Sequence, residues 1–275
     1  MSISYYSNTA DETHWRNIWE QQHLDNLLAI AAYDPLSQYL AENLPKSGLI
    51  LEGGCGLGQY VSFFRQKGYN VVGGDFSLVT LKVHRQTNPS SPLLGLDLRQ
   101  LPFADEVFAG HISIGVIEHL EEGPQMMLRE LYRTLAPGGT LLVSVPWVNG
   151  ARRLLIPLIL YRQRQYQATG ATFYQYAYRR QELHRFLTEA GFIVQAFHPY
   201  SPAKGAREIL HLMRPKIPNR APLKTRPMPA QKPIADHLLR RLLYLSPVLW
   251  SFAHMILVIA QKPINSGINS VNCQR

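Results

Sequence analysis

The stretch Leu49-Ile50-Leu51-Glu52-Gly53-Gly54-Cys55-Gly56-Leu57-Gly58 decides the fold of this chain. Its leading apolar residues predict a short strand, and residues 59–67 after it have the pattern of a helix. Glycines between a strand and a helix let the backbone take positive φ angles and approach a ligand closely. Many nucleotide sites occupy this position. We therefore interpret the stretch as the binding loop for a nucleotide-like cofactor.

The spacing of these glycines discriminates between cofactors. A dinucleotide-binding loop needs Gly-x-Gly-x-x-Gly. Counted from Gly54, the third glycine would fall at Gln59, and counted from Gly56 it would fall at Val61. What the loop supplies instead is acid-x-Gly-x-Gly-x-Gly, starting at Glu52. The spacing therefore argues against NAD.

Outward from the loop, short apolar runs alternate with helical segments, which predicts crossover units and a parallel sheet. The predicted strands are 49–51, 70–75, 92–96, 107–114, 140–145, 191–197 and 254–260. The predicted helices are 13–31, 35–43 with Asp34 as its N-cap, 59–67, 77–86, 124–135 and 180–190. The apolar stretch 242–260 contains Ser246, Pro247 and His254, so we expect a helix end and a buried strand there rather than a membrane span.

Composition limits the class of protein. The chain has 275 residues, 46% hydrophobic and 17% charged, which suits one large α/β domain with insertions and excludes wholesale disorder. Its two cysteines cannot form a disulfide framework, and no CxxC, HxxxH or HExxH pattern predicts a metal site. The polar first residues do not resemble a secretory signal, so we expect a cytoplasmic protein.

Charge is unevenly distributed. Residues 1–150 hold 9 Lys and Arg against 15 Asp and Glu, a net of −6, whereas residues 151–241 hold 17 against 4, a net of +13. A basic segment of this size favours an anionic partner: a phosphorylated or carboxylated substrate, a membrane surface or nucleic acid. The alternative is a solvated surface with a few local ion pairs.

The later motifs agree with the loop. Asp75 closes the second strand, Asp97 precedes Leu-Pro-Phe at 101–103, Ile-Glu-His-Leu stands at 117–120, and residues 128–139 end in Pro-Gly-Gly. In this order and spacing the set resembles the class I S-adenosylmethionine-dependent methyltransferases over residues 48–146, with weaker support at 180–198 and 254–261. One position departs from the family pattern, because Ala109 stands where the family often has Asp.

The resemblance implies a fold, a cofactor and cofactor-binding residues. The fold is an α/β three-layer sandwich with a Rossmann-like, seven-stranded, mostly parallel sheet whose last strand is antiparallel. The cofactor is S-adenosylmethionine, with Asp75 on the ribose hydroxyls, Asp97 on the adenine amine and Glu52 on the ammonium group. The alternative for each acid is a helix cap or a surface carboxylate. The implied cofactor-binding residues are Glu52, Gly54, Cys55, Gly56, Gly58, Asp75, Phe76, Asp97, Leu98 and Ile114.

Methyl transfer from a sulfonium needs alignment above all, and a general base only where the acceptor must lose a proton. Glu118 and His119 follow the fourth strand at the carboxyl edge of the sheet, and are candidate catalytic residues. The alternative is that they cap or pack the next helix. Four other histidines could also reach the site, and the sequence does not show which is the strongest candidate: His14, His184, His198 and His254. Residues 113–116 are not the Asn/Asp-Pro-Pro-aromatic loop expected of nucleobase amino-methyltransferases, which disfavours DNA methylation.

Acceptor specificity in this fold usually comes from insertions, and residues 147–180 interrupt the strand–helix rhythm with arginines and aromatics. We expect them to form a lid, with Tyr174, Tyr176 and Arg179 as candidate substrate-binding residues. The alternative is that the rings only pack the lid onto the sheet. The apolar residues 154–160 predict either lid core or contact with a bilayer or lipid-like acceptor.

Taken together, these observations predict an N-terminal helical segment (1–47), a methyltransferase domain (48–262) and a polar tail (263–275). The insertions are the lid and a basic, proline-rich segment at 201–245 whose middle we expect to be an irregular loop. The predicted enzyme methylates a small or lipid-linked acceptor, anionic or aromatic, with a peripheral membrane contact and with nucleic acid less favoured. The alternatives are an RNA methyltransferase that uses residues 151–241 and a non-catalytic cofactor-binding module. The oligomeric state is not predicted.

Overall fold

A computed structural model describes residues 2–7, 19, 22–88, 91–213 and 244–264. The strands in these ranges are β1 (Ile3–Ser7), β2 (Ile50–Gly53), β3 (Val71–Asp75), β4 (Leu93–Gly95), β5 (Phe108–Ile114), β6 (Leu135–Pro146), β7 (Thr172–Ala177), β8 (Ile193–Tyr200) and β9 (Met255–Gln261). The helices are α1 (Leu24–Tyr33), α2 (Pro35–Asn43), α3 (Gln59–Gln66), α4 (Leu78–Thr87), α5 (Gln125–Thr134), α6 (Gly150–Leu154), α7 (Ile156–Ala168), α8 (Arg180–Glu189), α9 (Pro202–Met213) and α10 (Ser246–Phe252), and Ile117–His119 form a 3-10 turn.

Seven strands form one sheet in the order β4-β3-β2-β5-β6-β9-β8. Strands β2 to β6 run parallel, and β9 lies antiparallel between β6 and β8. This confirms the predicted Rossmann-like sheet with an antiparallel last strand. The strand order reverses between β2 and β5, and ligands of open α/β sheets bind beyond the carboxyl ends of the strands at such a point.

Apolar side chains cover both faces of the sheet and so produce three layers. Leu141 and Val143 of β6 belong to one core cluster, and Leu142 between them belongs to the other. This alternation is the period of two expected of a strand buried on both faces. Helices α5 and α8 contribute to the first cluster through Leu128 and Leu183, while α2 and α3 contribute Leu40, Val61 and Phe64 to the second.

Local capping chemistry sets the helix starts that the sequence predicted. Asp34 precedes α2 and accepts a hydrogen bond from Leu36 N at 3.0 Å, with Pro35 at the first helical position. Ser77 caps α4. Both are residue types whose side-chain oxygens satisfy the open N–H groups of a first turn.

The lid residues 147–180 contain α6, α7 and β7. Strand β7 pairs antiparallel with β1 in a separate two-stranded sheet, with Ile3 opposite Ala177. Residues 3–7 were expected to belong to a helical segment, and that expectation is wrong. Ile3 is only 1% exposed because it packs with Val148 and Ile159 of the lid.

Three further predictions from the sequence either differ from the structure or fall outside the residues that it describes. The helix predicted over 13–31 is wrong at residues 22–23, which are non-helical, so α1 begins at Leu24; of the earlier residues only Trp19 is described, and it is helical. Helix α9 was not predicted, and it fits because Gly205 lets it lie against the main chain of Phe252. The loop expected in the middle of 201–241 falls largely on 214–243, outside the described residues.

The stretch 242–260 gives α10 followed by β9, as predicted. The buried side chains of β9, from Ile256 to Ala260, alternate between the two core clusters on either face of the sheet. Within the described ranges, no helix combines the length and the apolar character needed to cross a bilayer.

Candidate functional site

The glycine loop lies at the carboxyl ends of β2 and β3. Gly54 and Cys55 both donate their N–H groups to the carbonyl of Gly74, at 2.7 and 3.0 Å. Gly54, Gly56 and Gly58 have φ angles of +73°, +53° and +67°, a conformation in which L side chains are strained. A Cβ on Gly54 would lie 2.3 Å from Val116, so the close approach of these segments also requires glycine.

A cavity of about 420 Å³ opens beside this loop. Its walls come from the loop, the ends of β3, β4 and β5, the 3-10 turn and the N-terminal segment. Eight of the ten predicted cofactor residues line it, namely Glu52, Gly54, Cys55, Asp75, Phe76, Asp97, Leu98 and Ile114. Gly56 and Gly58 do not line it and act through the shape of the loop.

Glu52 is 3% exposed and forms part of the cavity wall. Its Oε2 accepts a hydrogen bond from Val61 N, in the first turn of α3, at 2.8 Å. Gly58 precedes α3 and has no side chain to cap it, so Glu52 takes over that task. Burial raises the pKa of Glu52 to about 8, and the nearby Asp75 adds to the shift.

Asp75 holds the loop in place from the end of β3. Its Oδ2 accepts from Gly56 N at 2.8 Å and its Oδ1 accepts from Ser77 N at 2.9 Å. Burial raises the pKa of Asp75, while these backbone N–H groups oppose the rise. Each carboxylate oxygen has a second lone pair, so Asp75 keeps the capacity to accept two more hydrogen bonds.

Asp97 is paired with a cation that the sequence analysis did not include. The Arg99 guanidinium donates Nε and Nη2 to Asp97 Oδ2 at 2.9 and 2.7 Å, and Arg99 N donates to Oδ1 at 2.8 Å. These hydrogen bonds lower the pKa of Asp97. Arg99 also lines the cavity, so Asp97 presents a charged, pre-oriented acceptor there.

His119 lines the cavity, together with Gly115 and Leu120. Its Nδ1 lies 2.7 Å from the carbonyl oxygen of Tyr174 in β7. A carbonyl only accepts, so Nδ1 carries the proton of this hydrogen bond. The Tyr174 ring meets the imidazole edge-on at 5.1 Å, and the lid thereby fixes the orientation of His119.

Glu118 lies behind the cavity wall rather than in it. It is 1% exposed, and its Oε1 is 3.9 Å from His119 Nε2. Its Oε2 has no hydrogen-bond partner within the described part of the chain. Burial raises the pKa of Glu118 to about 8, and Lys204 opposes that shift. Glu118 is therefore not among the residues that line the cavity.

The predicted acceptor residues of the lid do not line this cavity. Tyr174 touches it only through His119. The Tyr176 hydroxyl donates to the carbonyl of Glu121 at 2.8 Å, which packs β7 against the loop after the 3-10 turn. Arg179 precedes α8, where its N–H donates to Glu182 Oε2 at 3.1 Å.

The remaining histidines lie elsewhere. His198 stacks on Tyr39 with ring centroids 4.5 Å apart, and His254 is bound to Glu208 Oε2 at 2.8 Å. His184 is exposed on α8, and His14 lies outside the described residues. Among the residues that the structure describes, no group of three His, Cys, Asp or Glu could hold a metal ion.

The sequence analysis missed the N-terminal wall of the cavity. Trp19 and Leu27 line it. The Trp19 indole packs so closely on Gly56 that a Cβ added there would lie 2.5 Å from a ring carbon. Apolar spacing showed that this segment has a face to bury, but not that the face packs on the glycine loop.

Comparison with known proteins agrees with this geometry. Residues 51–143 match the family described as methyltransferase domain. The human protein named Probable tRNA methyltransferase 9B is 33% identical over 138 residues, 46% of this chain and 29% of that one. Demethylmenaquinone methyltransferase of Paenarthrobacter aurescens (strain TC1) is 35% identical over 96 residues, 34% of this chain and 37% of that one. The chain therefore spans well under half the length of these relatives.

Among solved structures, an S-adenosylmethionine-dependent methyltransferase of Methanosarcina mazei superposes with a TM-score of 0.57 at 17% identity, over 82% of this chain and 97% of that one. At this identity the likeness is one of fold. The matched domain and the shared fold agree with the glycine spacing of the loop, which differs from that of dinucleotide-binding loops. Residues 51–143 therefore form a methyltransferase domain, and the chain has the fold of S-adenosylmethionine-dependent methyltransferases, which implies S-adenosylmethionine as the cofactor.

Proposed function

We propose that this enzyme transfers a methyl group to a small or lipid-linked acceptor that is anionic or aromatic. The observation that supports this most is the contact between His119 and the Tyr174 carbonyl, 2.7 Å long. It ties the lid strand β7 to a residue of the cavity wall. An acceptor beside His119 would lie next to this strand, and we expect that position to suit a compact group better than a folded RNA.

The cavity has the chemistry that the cofactor requires. Three acids of the wall offer acceptors: we propose Glu52 for the ammonium, Asp75 for the ribose hydroxyls and Asp97 for the adenine amine. Leu98 N–H is proposed to meet a ring nitrogen. The two nearest cations in the sequence before and after the loop are Lys46 and Arg65, so the loop carries no phosphate-binding side chain.

His119 is the proposed general base. When bound, S-adenosylmethionine supplies an electrophilic methyl group on a sulfonium centre. Because Nδ1 carries its proton toward Tyr174, the lone pair of the neutral imidazole is on Nε2. That atom can take the proton of an acceptor O–H or N–H group as the acceptor attacks. Glu118 Oε1, 3.9 Å from Nε2, is the proposed positioning residue beside this imidazole.

An RNA acceptor is the second candidate. It is favoured by the net charge of +13 over residues 151–241 and by the relative named as a tRNA methyltransferase. Binding through many phosphates would weaken steeply as salt rises, whereas binding of one compact anion would not. The third candidate is a cofactor-binding module without turnover. The cytoplasmic location expected from the sequence stays a prediction.

The experiment that separates these candidates uses methyl-labelled cofactor and a cell extract divided into small-molecule, lipid and RNA fractions. We expect label in the small-molecule or lipid fraction. The rate should fall by roughly 10²–10⁴ in His119→Asn and stay unchanged in His184→Asn, which alters an exposed histidine of α8. Label in RNA would establish the second candidate. Cofactor binding with no labelled fraction would establish the third.

A further inference from the structure

The lid has an outer face that combines aliphatic side chains with arginines. Leu154, the last residue of α6, is 83% exposed, and on α7 Leu160 and Tyr161 are 41% and 60% exposed. Arg153 and Arg164 are exposed beside them. We call these five residues the outer lid face.

The arrangement of α7 places this face away from the protein. Pro157, Leu160, Tyr161 and Arg164 are spaced three and four residues apart and share one side of the helix. On the other side Ile159 is 2% exposed, and Gln163 accepts a hydrogen bond from Tyr6 N of β1 at 2.9 Å. The inner side of α7 therefore packs against β1 and the rest of the lid, whereas the outer side is exposed within the described part of the chain.

The charge of the face selects its partner. Residues 150–168 contain four arginines and no Asp or Glu. The chain between Met213 and Tyr244 is also basic, with 8 Lys and Arg against 1 Asp. Repulsion between like charges therefore disfavours that segment as the cover of this face, and it disfavours a second copy of the same face for the same reason.

An anionic partner remains, and the aliphatic residues decide which kind. Phosphates and bases offer nothing to Leu154 and Leu160, whereas a bilayer takes leucines into its boundary region and places tyrosines at the level of the head groups. Arginines beside them would meet anionic lipid head groups. We propose that the outer lid face docks on the surface of an anionic lipid bilayer.

This inference goes beyond the proposed function and does not depend on turnover. The lid also carries the Tyr174 carbonyl that contacts His119, so a lipid-linked acceptor would meet the same lid that orients this residue of the cavity wall.

The test is cosedimentation of the full chain with vesicles of phosphatidylcholine alone and of phosphatidylcholine with phosphatidylserine. We expect binding to the anionic vesicles only. Each arginine near such a surface contributes roughly fivefold in affinity. The pair Arg153→Gln and Arg164→Gln should therefore weaken binding by roughly twentyfold. The control pair Lys82→Gln and Arg129→Gln removes the same charge from exposed positions outside the lid and should change binding little.

The aliphatic contribution is tested by the pair Leu154→Glu and Leu160→Glu, with Ile193→Glu, 51% exposed on β8, as its control. The leucine pair should abolish vesicle binding without lowering the melting temperature. Four results would overturn the proposal: no binding to anionic vesicles, equal losses in the control variants, a lower melting temperature in the leucine pair, or retention on RNA that needs the arginines but not the leucines. A lower melting temperature would show that the chain itself covers the face. None of these results bears on methyl transfer, which the labelled-cofactor assay measures separately.

Discussion

The buried carboxyl of Glu52 makes cofactor binding depend on pH. Its pKa is about 8, so at pH 7 roughly nine in ten molecules of the free protein carry a protonated Glu52. If Glu52 binds the cofactor ammonium, it must ionise on binding and release its proton. The affinity for S-adenosylhomocysteine should then rise by up to about tenfold, or about 1.4 kcal/mol, per pH unit below pH 8.

The variant Glu52→Gln isolates this effect. Its amide oxygen can still accept from Val61 N, so the cap of α3 is kept while the charge is lost. Between about pH 6 and about pH 7.5 the wild-type affinity should rise roughly thirtyfold and that of the variant should stay level. The exposed Glu122→Gln serves as the control.

Calorimetric titration in two buffers of different ionisation enthalpy measures the released proton directly. We expect nearly one proton released per ligand bound by the wild type near pH 6.5, and none in Glu52→Gln. Equal pH profiles and equal proton release in both proteins would refute the placement of the ammonium at Glu52.

Three further predictions concern the cavity and the lid. Asp75→Ala should weaken binding of S-adenosylhomocysteine by about 2–3 kcal/mol in calorimetric titration, because ribose hydroxyls lose a charged acceptor; the exposed Asp105→Ala should not, and an equal effect of both would move the ribose site. Removal of the ring that packs edge-on against His119, by Tyr174→Ala, should depress turnover in the labelled-cofactor assay while cofactor affinity changes by less than about 1 kcal/mol; a large loss of cofactor affinity in a stable variant would mean that the lid covers the donor instead. The folded pKa of Glu118 lies above its unfolded value, so its contribution to stability is complete below about pH 4.5 and is lost as pH rises toward 8. The melting temperature should therefore fall less between those pH values in Glu118→Gln than in the wild type, and an unchanged dependence would contradict the burial of an ionisable carboxyl there.

The parts of the fold that depend on local pattern could be read from the sequence. The strand–helix alternation, the cap at Asp34, and the acids that end β2 and β3 are each set by neighbouring residues. Strand β1 could not be read in this way, because Ile3 packs with lid residues about 145 to 175 positions later in the chain. Helix α9 was hidden by the prolines that follow it.

The same distinction holds for the cavity. Eight of its lining residues follow from the resemblance, since they lie at strand ends. Trp19 and Arg99 could not be identified from the resemblance, because both depend on tertiary packing. The first depends on where the N-terminal segment packs, and the second on the rotamer of one arginine. The orientation of His119 depends on a main-chain carbonyl of Tyr174, and no residue type in the sequence indicates which carbonyl a histidine will meet.

The central claim is that the cavity beside the glycine loop binds S-adenosylmethionine and not a dinucleotide. Its most direct test is the melting temperature of the wild-type chain with S-adenosylhomocysteine and, separately, with NAD. Ligand at about 100 times its dissociation constant stabilises the folded state by about 2.7 kcal/mol, which for a chain of this size is a rise of roughly 5–10 °C. We predict that rise with S-adenosylhomocysteine and none with NAD. A rise with NAD alone would contradict the assignment of the loop.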